Sequence, residues 1–317
     1  MAVAEARAVR PATKRRGYLR RKLHEARNEW TAYLFLSPGL VLFFAFFVYP
    51  LIFSFWISFH EWDILQPQKP FVGLQNYRDM LHDTGFIASI GHTLYFTVGT
   101  IPLELAMGLG IAVLLNAQVR ALGLFRTMYY LPVVTPLVVA SIIWKWVYNT
   151  DYGLANYYLL KFHLINQPLL WLSSGRTAMP AVILMTVWKG VGFYMIVYLA
   201  GLQAIPAQLY EAAEVDGAGP FKRFWRITVP MLAPTTLFLL IISFIGSFQV
   251  FTQIFIMTQG GPPGPGGATT TIMYYIYRSA FVFFQMGYAA ALAYALFAML
   301  LIFSIWQFRY YMRQAEA

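Results

Sequence analysis

Six windows of apolar residues, each about 20 long and so able to carry an α-helix across roughly 30 Å of hydrocarbon, recur along this chain. They cover approximately residues 33–59, 89–115, 127–148, 178–202, 231–257 and 287–308. A water-soluble fold of 317 residues would need a charged shell around so much apolar surface, and only 11% of the residues are Asp, Glu, Lys or Arg while 59% are hydrophobic. The bilayer must therefore act as much of the solvent. The expected fold class is all-α, a polytopic membrane protein with six transmembrane helices.

Charge sets the expected orientation. Nine of the 23 Lys and Arg residues fall in the first 32 positions, ahead of the first window. That window is too long for the apolar region of a signal peptide and is expected to stay as a membrane helix. A basic tail beside a span reads as a membrane-surface anchor rather than a nucleic-acid contact. Counting alternate links, the tail, Arg120 and Arg126, Lys222, Arg223 and Arg226, and Arg309 and Arg313 hold sixteen cations. The opposite set, Lys69, Arg78, Lys161, Arg176 and Arg278, holds five. The positive-inside rule then places both termini in the cytoplasm, with residues 1–32 as a basic cytoplasmic tail and 33–317 as the six-helix domain.

Two outer links are long. Glu61 to Ala88 carries Trp62, Phe71, Tyr77 and four acids and is expected to hold a small surface helix. The fifth link opens on a Gly/Pro run from Gln259 to Pro265, which breaks helix and strand alike. The stretch from Thr270 to Phe284 then reads as an interfacial helix in an aromatic belt.

The longest inner link, within about 203–230, reads IPAQLYEAAEVDGAGPFKRFWRITVP from Ile205 to Pro230. Ala207 to Asp216 are good helix formers, Gly217 is placed to end them in a left-handed conformation, and Pro220 can open a second helix. Two short helices around a turn, with small alanines on one face and acids beside them, form a shape that another subunit can grip. Glu211, Ala212, Ala213, then Asp216, Gly217, Ala218, then Ile227 and Pro230 resemble the EAA loop of the membrane subunits of binding-protein-dependent ABC importers. FVGLQNYRDML from Phe71, IPLELAMGLGIAVLLN from Ile101 and TQGGP from Thr258 extend the resemblance over nearly the whole chain from about Tyr33. They are similar to the carbohydrate-uptake branch, the class of the maltose and glycerol-phosphate permeases. Val229 stands where that family usually has Leu.

The resemblance implies that Glu211, Ala212, Ala213, Asp216, Gly217 and Ala218 form a coupling helix docking into a separate ATPase subunit. It implies a second homologous permease, an ATPase dimer that holds the ATP and Mg, and an extracytoplasmic solute-binding protein, all at the cytoplasmic (inner) membrane. The chain itself is expected to carry no cofactor and no catalytic residue. No GxxxxGK[ST] loop occurs, and the five histidines are scattered without metal-ligand spacing. With no cysteine, there is neither a disulfide nor a thiolate site. An ion-coupled carrier would usually need several carboxylates at depth or inverted repeats; only Glu104 is clearly there.

Glu104 and Lys189 lie inside apolar windows, where a charge costs about 2.5–3.5 kcal/mol on insertion scales, so each must face protein or water. Either could line a polar pathway or lock helices together, and the two could pair. In the fifth window Ser243, Ser247 and Phe251 share one helical stripe and Gln249 and Gln253 a neighbouring one. Hydroxyl, amide and aromatic groups in this pattern suit a polyhydroxylated solute, or equally serve as glue between helices. Alignment with the maltose-permease site implies that Gly190, Phe193, Ser243 and Ser247 line the pathway; Lys189 and Gln249 join the expected pathway set from their own positions in the apolar windows. Val250 occupies a further position of that site and cannot hydrogen-bond through its side chain. The expected solute is a carbohydrate or polyol, with a glycerol-phosphate-type anion as the alternative.

Overall fold

The structure is a computed structural model that describes residues 30–116, 122–258 and 267–315. The basic tail, Arg120 and the Gly/Pro run after Thr258 lie outside the described residues. The chain divides into two units, Met1–Trp56 and Ile57–Ala317. In the first, α1 (Trp30–Phe43) continues through a π-helical turn, Phe44–Val48, into α2 (Tyr49–Ile57), whose last residue begins the second unit. The widened turn has a local cause. Pro50 cannot donate to the ladder and its ring crowds the carbonyl four residues back, so the Tyr49 N–H reaches to Phe44 O instead. The same device recurs at Phe224–Thr228, directly before Val229 and Pro230.

The first whole helix of the second unit is α3 (Gln75–His82), followed by the long α4 (Thr84–Asn116), then α5 (Leu122–Val134) and α6 (Leu137–Val147). After α7 (Leu154–Lys161) comes α8 (Ala178–Gln203), then the short pair α9 (Ala207–Val215) and α10 (Pro220–Arg223). The chain ends with α11 (Val229–Met231), α12 (Ala233–Phe248), α13 (Thr252–Met257), α14 (Ile272–Phe281) and α15 (Met286–Ala315). Among the described residues the only β contacts are two isolated bridges. Among these residues, four helices are long and apolar enough to cross a membrane: Tyr33–Ile57, Thr84–Asn116, Ala178–Gln203 and Met286–Arg309. Two bent pairs bring the number to six if each is one span.

The third and fifth of the six expected windows are not single straight helices. The third window is α5 and α6, meeting at 97°. Pro136 is the reason: it removes the N–H that would bond Pro132 O, and it disfavours helical geometry at Thr135. Pro220–Met231 joins α12 at 61°. The fifth window is also interrupted on its far side, since α12 stops at Phe248 and α13 starts at Thr252. The carbonyl freed at Val250 accepts from Thr271 Oγ1 at 3.0 Å, so the buried break is satisfied.

The core of this unit runs along the contact of α4 with α8. Phe96 packs with Met179, Ile183 and Met185 towards one end, and Ala112 with Met195, Tyr198 and Leu199 towards the other. Phe86, Phe248, Leu292 and Leu296 join α4 to α12 and α15.

α4 begins five residues before the apolar window because Asp83 caps it. The Asp83 carboxylate accepts from the N–H groups of Gly85 (2.8 Å) and Phe86 (3.2 Å) and from the hydroxyls of Tyr275 (2.6 Å) and Tyr288 (2.5 Å). Burial works to raise its pKa, but these four bonds to the charged form outweigh it and hold the pKa below the ordinary carboxylate value. A pKa lowered by folding contributes stability that is full above the unfolded value, near 3.8, and is lost as pH falls through the folded value. Asp83→Asn is therefore expected to lower the thermal midpoint at pH 7 and to reduce the loss on acidification towards pH 3. An unchanged midpoint with an unchanged acid slope would refute this role for Asp83.

Candidate solute cavity and coupling surface

A cavity of about 250 Å³ opens between α4, α8, α12 and α13. Its polar lining is Thr100 and Glu104 from α4, Thr186 and Tyr194 from α8, Ser243 and Ser247 from α12, and Gln253 from α13. Phe96, Gly190, Phe193, Ile242 and Gly246 complete the wall. Gly190 is required by its neighbour: a Cβ there would sit 2.3 Å from Glu104 Oε1, so the glycine makes room for the carboxyl group. Glu104, 5% exposed, lies beside Tyr194, whose hydroxyl meets Ser243 Oγ at 2.8 Å. Ser243 in turn donates to Leu239 O at 2.5 Å. These hydroxyls tie α8 to α12 along one side of the cavity, with Glu104 of α4 beside them.

Of the pathway residues expected from the sequence, Gly190, Phe193, Ser243 and Ser247 meet at this cavity. Lys189 and Gln249 are not in its lining. Gln249 follows the last residue of α12 and is exposed, because the helical stripe that would align it with Gln253 is broken at that point. Lys189 turns the other way. Its ammonium donates to Pro132 O (3.3 Å) and Val133 O (3.1 Å), the carbonyls stranded at the end of α5 by the bend at Pro136. A cation at a helix C-terminus, bonded to its last carbonyls, satisfies both the hydrogen-bond and the dipole requirement. Glu104 and Lys189 thus have separate partners, and no ion pair joins them.

The second expected site, around α9, is built on backbone geometry. Gly217 has φ +71°. The N–H of Ala218 donates to Ala213 O (2.8 Å) and that of Gly217 to Glu214 O (3.0 Å), the paired bonds of a Schellman C-cap. Pro220 opens α10 at its first position. Arg223 bridges back to Glu214 at 2.9 Å, and the Tyr210 and Thr228 hydroxyls meet at 2.9 Å, fixing the turn to the segment after it. Glu211, Ala212, Asp216 and Gly217 are exposed, and Ala213 and Ala218 partly so. Val215 (89% exposed), Phe221 and Trp225 stand beside them, so an apolar surface surrounds the loop.

Residues 105–314 match the family model of the binding-protein-dependent transport system inner membrane component. This chain belongs to that family. The permease protein MalF of the trehalose/maltose transport system of Thermococcus litoralis is 37% identical over 276 residues, covering 86% of this chain and 90% of that protein. UgpA, the sn-glycerol-3-phosphate transport system permease protein of Escherichia coli O157:H7, is 33% identical over 290 residues, 90% of this chain and 95% of its own. Among solved structures, a chain of a bacterial ABC transporter involved in the import of the acidic polysaccharide alginate superposes with a TM-score of 0.80 at 25% identity. The match covers 92% of this permease-family chain and 99% of that one.

Thr100 and Tyr194 were missed as lining residues from the sequence. The signal for Thr100 is its spacing. It lies one turn before Glu104 on the same face of α4, following Thr93 and Thr97 at helical intervals.

Proposed function

We propose that this permease is one of two membrane subunits of an ABC importer for a neutral carbohydrate, an oligosaccharide or sugar-like polyol. It lies in the cytoplasmic membrane with six spans and both termini inside, each bent pair of helices counting as one span. The loop at α9 docks into an ATPase dimer that holds the ATP and Mg. A binding protein delivers solute from outside. ATP binding draws the ATPases together, moves the coupling helices with them and opens the cavity outward; hydrolysis resets it. The exposed, rigidly capped α9 with its apolar surround supports the docking role.

One observation carries the solute class. The cavity is lined by hydroxyl, amide, carboxyl and aromatic groups, the set that binds sugars, and among the described residues no Lys or Arg is in its lining. A phosphate or uronate in transit would need cationic partners. The anionic alternative has one observation in its favour, that Lys189 is the neighbour of Gly190 in the cavity wall. Its ammonium, however, serves the α5 carbonyls.

Lys189→Met separates the two readings. It keeps the length of the side chain and leaves two carbonyls at the bend without their donor, an omission worth about 1–3 kcal/mol. The expected result is a lower thermal midpoint and lower yield of the assembled transporter, with an unchanged order of preference among solutes. Selective loss of phosphate-ester uptake, with assembly and sugar uptake intact, would favour the anionic solute instead.

A further inference from the structure

Thr100 differs from the other buried hydroxyl residues of α4. Ser89, Thr93 and Thr97 return their hydroxyls to carbonyls one turn back, at 2.6 Å (Phe86 O), 2.8 Å (Ser89 O) and 2.7 Å (Thr93 O). A hydroxyl inside an apolar helix normally satisfies itself in this way. Thr100 is 1% exposed, yet its Oγ1 has no partner among the described residues, and it lines the cavity. One turn on, Glu104 lines the same wall beside Tyr194.

We propose that Thr100 and Glu104 form a hydrogen-bonding subsite on α4 that holds hydroxyl groups of a neutral carbohydrate in the cavity. The inference rests on the carbohydrate reading and extends it to a helix that the pathway residues on α8 and α12 do not include. An i, i+4 pair presents its two side chains side by side on one helix face. Thr100 supplies a donor and an acceptor, and Glu104 supplies oxygens that Tyr194 leaves partly free. Ser247 and Gln253 complete the polar lining from α12 and α13, and Phe193 adds an aromatic ring. A buried hydroxyl without a partner is costly to the empty protein, and a solute hydroxyl at Thr100 removes that cost.

Because no described residue bonds Thr100 Oγ1, the isosteric Thr100→Val removes no bond that the described fold uses. The test is uptake of radiolabelled trehalose, maltotriose and lactose by vesicles containing the complete transporter and its binding protein, alongside the thermal midpoint of the purified complex. For a sugar that the wild type carries, Thr100→Val is expected to slow uptake about fivefold, the equivalent of one hydrogen bond, with an unchanged or higher midpoint. Thr100→Ser should return uptake to within about twofold. Wild-type uptake in Thr100→Val would overturn the subsite and leave the carbohydrate reading standing. A fall in midpoint accompanying the slower uptake would assign Thr100 to structure and also overturn it. Wild-type vesicles that carry none of the three sugars, but do carry glycerol 3-phosphate, would overturn both.

Discussion

Gly192→Ala is expected to remove the folded permease from the membrane. Gly192 lies on the face of α8 that meets α5, where an added Cβ would come within 2.1 Å of Tyr129 O and 2.9 Å of the carbonyl carbon behind it. Those atoms belong to helical backbone and cannot rotate away as a side-chain tip can. Overpacking a close-packed contact costs about 1–3 kcal/mol and more when backbone has to move, which is a large part of the roughly 5–15 kcal/mol that holds a typical protein folded. Helix pairs in a membrane depend on such small residues for close approach. The damage would reach function through geometry, because α8 carries Gly190, Phe193 and Tyr194 to the cavity and α5 ends in the carbonyls that Lys189 caps. Gly91→Ala is the matched control, since nothing lies within 4 Å of a Cβ at that position. The yield of monodisperse, detergent-extracted complex should collapse for Gly192→Ala and stay at the wild-type level for Gly91→Ala. Equal yields and equal thermal midpoints for the two would mean that α5 and α8 do not approach as described.

The second large effect is expected at Gly217, and its cause is conformational. A Cβ at this position meets nothing within 4 Å, so crowding is no obstacle; φ +71° is. A β-branched residue there is strained by at least about 1–2 kcal/mol, and the strain is relieved by unwinding the cap that ends α9. With the cap goes the bond from Ala218 N to Ala213 O, and with it the direction in which Glu211, Ala212 and Asp216 are presented. Gly217→Val is expected to lower uptake more than tenfold while the protein still reaches the membrane, since the loop lies outside the packed core. Gly217→Asn should keep most of the activity, because asparagine tolerates the left-handed region. Transport by Gly217→Val equal to that of Gly217→Asn would show that this geometry is not what the proposed coupling depends on.

Much of the helical content could be read from the sequence, because apolar length is a strong signal and the bilayer demands satisfied backbones. The fourth window, 178–202, became Ala178–Gln203 almost unchanged. The cap at Gly217 and the helix start at Pro220 were also legible, since glycine and proline act through local backbone rules that need no tertiary information. What a hydropathy window could not show was direction. A run from 127 to 148 is apolar whether it is straight or turns through 97° at Pro136, and the run from 231 to 257 hides the break after Phe248 for the same reason. The placement of individual residues follows from those breaks. Gln249 was expected beside Gln253 because the helix was assumed continuous, and Lys189 was expected in the pathway because the carbonyls it caps exist only once α5 has ended. Glu104 could be recognised as costly but not placed, since its partner Tyr194 lies 90 positions away on another helix.

The most direct test of the central claim is uptake by the complete transporter in sealed vesicles, with ATP supplied to the ATPase and binding protein on the opposite side. Neutral oligosaccharides, glycerol 3-phosphate and an oligouronate would be offered in parallel. A cavity lined by Thr100, Glu104, Ser243, Ser247 and Gln253 without a cation predicts ATP-dependent accumulation of a neutral sugar and none of either anion. Accumulation of the phosphate ester or the oligouronate, with every neutral sugar excluded, would contradict it.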